Sequence, residues 1–214
     1  MINLKFTATA EDGKDMTEEL TNFANFIGLE SVASGRYSFL LLLALFALYK
    51  SSRLNPMNVV REIQALEGFG KSSVLKPPSL FKRQPLKGLW HKHYRENGLA
   101  AMAINLNKAL KNEKKYGIHL FKQRIQEAQQ AGEERYITEE DWRLLAIDAV
   151  NGNWKRLINN QALTGEWIIY AQHEGVNYYL CLGKHDSGDD RLREQIDAVC
   201  CQEFPFLTNL LANA

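Results

Sequence analysis

The sequence predicts an α+β protein, predominantly helical, with a helical core and a small antiparallel sheet. Three observations carry this. Apolar residues recur at three- and four-residue spacing over most of the chain, as on one face of a helix. The spacing changes to alternation in one late segment, GEWIIYAQHEGVNYYLCLG, residues 165–183. A shorter alternation, Ile2, Leu4 and Phe6, opens the chain and is the natural third strand of that sheet. A chain of 214 residues buries one sizeable core, so a single globular domain is expected over residues 1–214. Within it, residues 1–67 read as a helical part, 68–95 as a basic loop, and 96–214 as helices, a hairpin and a terminal helix.

The elements follow in order. Asp15 or Thr17 caps a first helix with Leu20, Phe23, Phe26 and Ile27 on its apolar positions, and Gly28 and Gly35 punctuate what comes next. FLLLLALFALY, Phe39 to Tyr49, is apolar on every face, which places it in the centre of a helical bundle. It is bracketed by Arg36 and Lys50 and falls short of the ~20 residues a membrane span needs. The acidic EDGKDMTEEL before it is unlike the positive flank of a signal peptide. Asn55-Pro56 starts a helix through Val59, Val60, Ile63 and Leu66 that Gly68 ends. From Phe69 to Tyr94, prolines at 77, 78 and 85 and no periodicity indicate a long loop, the kind that is usually functional or disordered. Helices resume at Leu99–Leu110 and Gly117–Ala131, and Thr138 with Asp141 begins another in a capping-box pattern. Trp167–Ala171 and Val176–Leu182 flank a turn at Glu174-Gly175, a β-hairpin. Ser187, with Asp190 three residues on, caps a last helix to about Gln202, and FPFLTNLL docks on the core.

Composition narrows the chemistry. Cys181, Cys200 and Cys201 form neither a disulfide framework nor a zinc-ligand spacing, so they read as buried, reduced thiols in a cytoplasmic protein. Phosphate-loop, dinucleotide-fold, HExxH and GxSxG signatures are absent, which argues against the chemistries built on them. The net charge of +1 hides an asymmetry. Residues 1–67 carry −2, residues 68–130 carry +10, and residues 131–214 carry −7. A middle third this basic suits an anionic partner, RNA or another phosphate-rich group, and no membrane. It suits equally a loop packed against the protein's own acidic tail.

The candidate site lies in this basic stretch, which has no acidic residue from Gly68 to Arg95. Lys76, Lys82, Arg83, Lys87 and Lys92 can neutralise phosphates, while Trp90 and Tyr94 offer faces to unpaired bases. His91 and His93 share one side of the chain if the backbone is extended. Two imidazoles of near-neutral pKa can serve as base and acid in phosphodiester cleavage. Arg95 or Lys92 can stabilise charge on phosphorus, and the reaction calls for no metal or other cofactor. His173 and His185, at the turn and exit of the hairpin, can complete such a site if the hairpin faces the loop. His119, between Ile118 and Leu120, reads as partly buried.

GEWIIYAQHEGVNYYLCLGKHD, Gly165 to Asp186, resembles the late hairpin of RelE/ParE-type bacterial toxins, in which two strands run out to a histidine or other polar site residue. The resemblance covers 22 residues and implies an RNA-acting toxin, with His185 at the implicated position. Toxins of the RelE branch cleave ribosome-bound mRNA without metal. The expected function is therefore a nucleic-acid-acting toxin or defence protein, most concretely a metal-independent ribonuclease with catalytic His91, His93, Arg95 and His185. The alternative is a non-catalytic helical interaction protein of antitoxin, immunity or adaptor type, bound to a protein partner. An enzyme acting on a small phosphorylated metabolite remains a third reading.

Overall fold

The helices and strands appear in chain order as α1 (Thr17–Phe26), α2 (Leu29–Ala33), α3 (Phe39–Lys50), α4 (Met57–Leu66), β1 (Ser79–Leu80), β2 (Trp90–Tyr94), α5 (Leu99–Lys111), α6 (Glu113–Tyr116), α7 (His119–Gln130), α8 (Glu139–Ile147), α9 (Asn153–Asn159), β3 (Glu166–His173), β4 (Val176–Gly183), α10 (Asp189–Gln195), α11 (Cys201–Glu203) and α12 (Phe206–Ala212). The structure is a computed structural model that describes residues 7–70, 73–95, 98–132, 136–184 and 186–214. It is an α+β fold, predominantly helical, with one four-stranded antiparallel sheet of order β1-β2-β3-β4. The opening strand expected at Ile2, Leu4 and Phe6 lies outside the described residues. No described helix is long and apolar enough to cross a membrane. Two compact units are present. The first comprises residues 1–73, 77–97 and 165–214, the second residues 74–76 and 98–164.

The sheet organises the first unit. The β3–β4 hairpin forms as its alternation predicts, and its two-residue turn has positive φ at both Glu174 (50°) and Gly175 (80°). Such turns match the right-handed twist of the flanking strands. The long loop expected over residues 68–95 is corrected: Ser79–Leu80 and Trp90–Tyr94 are strands, and β2 pairs with β3 along its whole length. WHKHY does alternate. One face carries two histidines and the other sets a lysine between two aromatics, which hides the period-2 signal of a half-buried strand.

Helices cover both faces of this sheet. On one face Trp90, Tyr94, Ile168, Tyr170, Tyr179 and Leu182 pack with α1–α4. On the other, Ile169, Ala171, Leu180 and Cys181 pack with Leu192, Ile196, Cys200, Phe204, Leu207 and Leu211. The α3 helix lies against β4 rather than in the centre of a bundle. It buries Leu41, Leu42 and Leu45, while Leu43 and Tyr49 stay exposed. Each leucine so buried stabilises the fold by about 1.5–3 kcal/mol. The Ser38 hydroxyl accepts from Leu41 N at 3.0 Å, and the Glu203 carboxylate accepts from Phe39 N at 2.9 Å, satisfying amides at the α3 N-terminus. Asn55 accepts from Met57 N at 3.0 Å as the start of α4 requires. Ser187 does not cap α10; its hydroxyl accepts instead from Lys184 N at 2.9 Å, inside the preceding turn. Cys181 and Cys200 are buried, and burial pushes both thiols up, Cys200 to about 12.

The second unit has its own small core of Leu75, Ala109, Tyr116, Leu157, Ala162 and Leu163. Leu75 bridges Leu163 in parallel, so the short segment before β1 is held against the end of this unit. The capping box expected at Thr138 is complete, with Thr138 and Asp141 each bonding the other's amide. Asn151-Gly152-Asn153 does not end the helix; one π-helical turn, Asp148–Gly152, carries α8 into α9. Asp148, fully buried, accepts from Leu120 N at 2.8 Å and pairs with Arg156 at 2.9 Å. His119 is exposed rather than partly buried, and its Nε2 lies 3.2 Å from Glu113 O.

Candidate functional site

The pairing register of β2 decides what the basic stretch can do. Because successive side chains of a strand alternate, His91 and His93 fall on one face and Trp90, Lys92 and Tyr94 on the other. Directly opposite, His91 meets Ile169 and His93 meets Trp167, which in turn lies beside Gly183 of β4. The two imidazole centroids are 5.6 Å apart at 83°. Phe81 lies 4.6 Å from His91, and Trp167 lies 5.4 Å from His91 and 5.6 Å from Phe81. Four rings thus form one cluster at the β1–β2–β3 edge of the sheet.

His93 is the inner member, 4% exposed, and His91 the outer one, partly exposed. The Nδ1 atom of His93 sits 2.7 Å from Gly165 O. The Gly165 N–H also lies 3.3 Å from the same Nδ1, so both polar groups of Gly165 hold the ring at this atom. Gly165 can approach this closely because it has no side chain: a Cβ there would overlap the Tyr94 carbonyl oxygen and stand 2.9 Å from its carbon. Arg95, exposed, follows His93 in the chain, and its carbonyl accepts from Asn58 Nδ2 at 2.9 Å.

The opposite face is interior. Lys92 is 3% exposed; its ammonium lies 3.3 Å from Glu62 Oε2 on α4 and donates to Ser73 Oγ at 2.9 Å. Burial lowers the Lys92 pKa, and Glu62 opposes that shift. Tyr94 is buried, and Trp90 stacks on Tyr170 at 6.4 Å. Lys92 and Tyr94 therefore belong to the core under α4, correcting their expected place on a ligand-facing loop. A one-residue alternation separates them from the histidines beside them in sequence.

The other expected residues divide as follows. Lys82, Arg83 and Lys87 are exposed on the connection between β1 and β2, anchored beneath by the buried Leu86 and Leu89. Lys76 belongs to the second unit. His185 lies outside the described residues. His173, at the hairpin turn, stacks on Phe206 of α12 at 4.1 Å and 4°, away from the His91–His93 row by the register of β3. Sequence reasoning set Phe81 among the aromatics of the basic stretch but did not assign Trp167 or Gly165 to the site. Trp167 is the opposite number of His93 only once the β2–β3 register is known, and no local signal announces it.

Chemically, the face holds two imidazoles 5.6 Å apart between aromatic walls. Among the described residues no group of three or more His, Cys, Asp or Glu side chains could hold a metal ion. In comparison with known proteins, the chain matches no family model, and no curated protein and no solved structure is significantly similar to it.

Proposed function

We propose that the protein acts on nucleic acid, as a metal-independent ribonuclease of the toxin or defence kind. The observation that carries this reading is the juxtaposition of His91 and His93, 5.6 Å apart on one sheet face beside Phe81 and Trp167. His93, held in place by Gly165, removes the proton of a ribose 2′-OH. The 2′ oxygen attacks phosphorus as the bond to the 5′ oxygen breaks. His91, the outer ring, protonates that leaving oxygen, giving a 2′,3′-cyclic phosphate and a 5′-OH end. Arg95 stabilises the charge on phosphorus, and Lys82, Arg83 and Lys87 hold the strand by its phosphates. The likeness of residues 165–186 to the hairpin of RelE/ParE-type toxins supports the same reading. The test is cleavage of single-stranded RNA, with toxicity on expression, for wild type and for the H91A/H93A variant. Loss of both in a variant that melts like wild type is expected; full activity in it refutes the assignment.

The alternative is a non-catalytic interaction protein of antitoxin, immunity or adaptor type. It is favoured by the apolar surface of the second unit, where α7 buries no residue and Leu99, Ile104, Tyr136 and Trp142 are 87%, 59%, 96% and 58% exposed. RNA left intact by wild type, together with cellular effects indifferent to H91A/H93A, selects this reading.

A further inference from the structure

The connection between β1 and β2, residues 81–89, carries the exposed cations Lys82, Arg83 and Lys87 and no acidic residue. Exposed connections are ordinarily among the least stable parts of a fold. This one is fastened from behind by the C-terminal helices. Arg193 of α10 donates from Nη1 to Pro85 O at 2.8 Å. Gln84 donates from Nε2 to Ala214 O at 3.2 Å. Gly88 lies so close to α12 and the residues after it that a Cβ there would stand 2.8 Å from Ala214 Cβ and 3.4 Å from Leu210 Cδ2. Beneath, Leu86 and Leu89 are fully buried in one cluster with Leu192, Leu207 and Leu211.

The base of the connection is closed as well. Phe81 N donates to Leu89 O at 2.8 Å, and Gly88 N donates to Phe81 O at 3.4 Å. The Phe81 ring lies 4.6 Å from His91, so a shift of the connection reaches the histidine face. Arg193 divides its donors between two tasks. Its Nε lies 2.9 Å from each oxygen of Asp197, one helical turn on, while Nη1 turns to Pro85 O. Asp197 balances the guanidinium, which limits what this clip adds to the repulsion among the three cations. A cation already held in place gives up less freedom on meeting a phosphate, and binds it more tightly for that reason.

We propose that Arg193 is a positioning residue for nucleic-acid binding. By holding Pro85 O it fixes the connection so that Lys82, Arg83 and Lys87 meet the phosphates of a single strand laid toward the His91–His93 face. The proposal rests on the nucleic-acid reading above, but on its binding half alone. It stands whether or not His91 and His93 cleave the strand.

The test uses full-length protein in the H91A/H93A background, so that no probe is consumed. A fluorescently labelled short oligouridylate is followed by anisotropy over a range of salt. K82Q/R83Q/K87Q should lower the log–log salt slope by about two, since each single-strand phosphate contact contributes about 0.7. R193Q, with all three cations intact, should weaken binding at least about fivefold and lower the slope by about 0.7 or more, as at least one phosphate contact is lost. A merely destabilised protein would keep its slope. R193K retains a donor for Pro85 O, and D197N breaks only the exposed ion pair; both should stay within about twofold of the parent. Parent affinity and slope in R193Q, equal loss in R193Q and D197N, or no binding of the oligonucleotide by the parent overturns the proposal. Cleavage is read separately with the histidines intact. Its absence beside salt-dependent binding removes the ribonuclease reading and leaves the assignment of Arg193 standing.

Discussion

Replacing Glu67 by Gln tests how the helical layer is fastened to the sheet. Glu67 follows α4, and its side chain is 12% exposed. One oxygen accepts from Arg36 Nη2 at 2.7 Å; the other accepts from Tyr179 Oη at 2.6 Å and Asn177 Nδ2 at 3.0 Å, both on β4. A glutamine keeps one acceptor. With its carbonyl turned to Tyr179 and Asn177, its NH2 faces the Arg36 guanidinium, donor against donor. One charge-assisted bond is lost, worth about 1.5–3 kcal/mol, and two others become neutral at about 0.5 kcal/mol each. Arg36 retains its bonds to Val32 O and Asn177 O, which limits the damage. The expected cost is about 3 kcal/mol, or roughly 6–12 °C in melting temperature. The pH dependence sharpens the test. Burial raises the Glu67 pKa, but the bonds from Arg36, Tyr179 and Asn177 outweigh it and leave it below its ordinary 4.5. A carboxylate lowered in the folded state contributes stability that is full above its unfolded pKa and is lost as pH falls through the folded one. Calorimetric melts from neutral pH to about pH 3 should therefore show a constant gap between wild type and E67Q above about pH 5, closing below it. Equal melting at neutral pH, or a gap that persists undiminished in acid, refutes the reasoning.

Three further outcomes follow from the site and the strand that carries it. G165A should destabilise the protein by about 2–3 kcal/mol and displace the carbonyl that holds His93, lowering any RNA cleavage more than RNA binding; unchanged melting contradicts the close approach to Tyr94. K92M should cost about 3–5 kcal/mol by leaving Glu62 buried beside no cation, while K92M/E62L should recover most of it in denaturant melts. Oligonucleotide affinity should be the same in K92M/E62L as in wild type, because Lys92 lies under α4; a clear loss would return Lys92 to the ligand face.

Local rules governed the elements that formed where the sequence placed them. The β3–β4 turn needed only Glu174-Gly175 between two alternating runs, α4 needed Asn55-Pro56, and α8 needed Thr138 and Asp141. Each of these signals acts within a few residues of backbone. The misplaced features depend on which of several competing partners a residue takes, and on what covers it. Ser187 had a fitting neighbour at Asp190, yet its hydroxyl is taken by Lys184 N. Phe39–Tyr49 reads as buried on every side, but a helix lying on a sheet needs only one covered face, so Leu43 and Tyr49 remain in solvent.

The basic stretch divides along the same line. By itself the sequence determined that Lys82, Arg83, Lys87, His91, His93 and Arg95 occur together in a run with no acid. Only the tertiary structure decided that His91 and His93 share a face with Trp167, some seventy residues away, while Lys92 and Tyr94 enter the core. The physical reason is the pleat. A strand assigns neighbours to opposite faces, and its register with β3 decides which face meets α4 and which meets the ring cluster. No single segment encodes that register; it is set by the sum of side chains buried on both sides of the sheet.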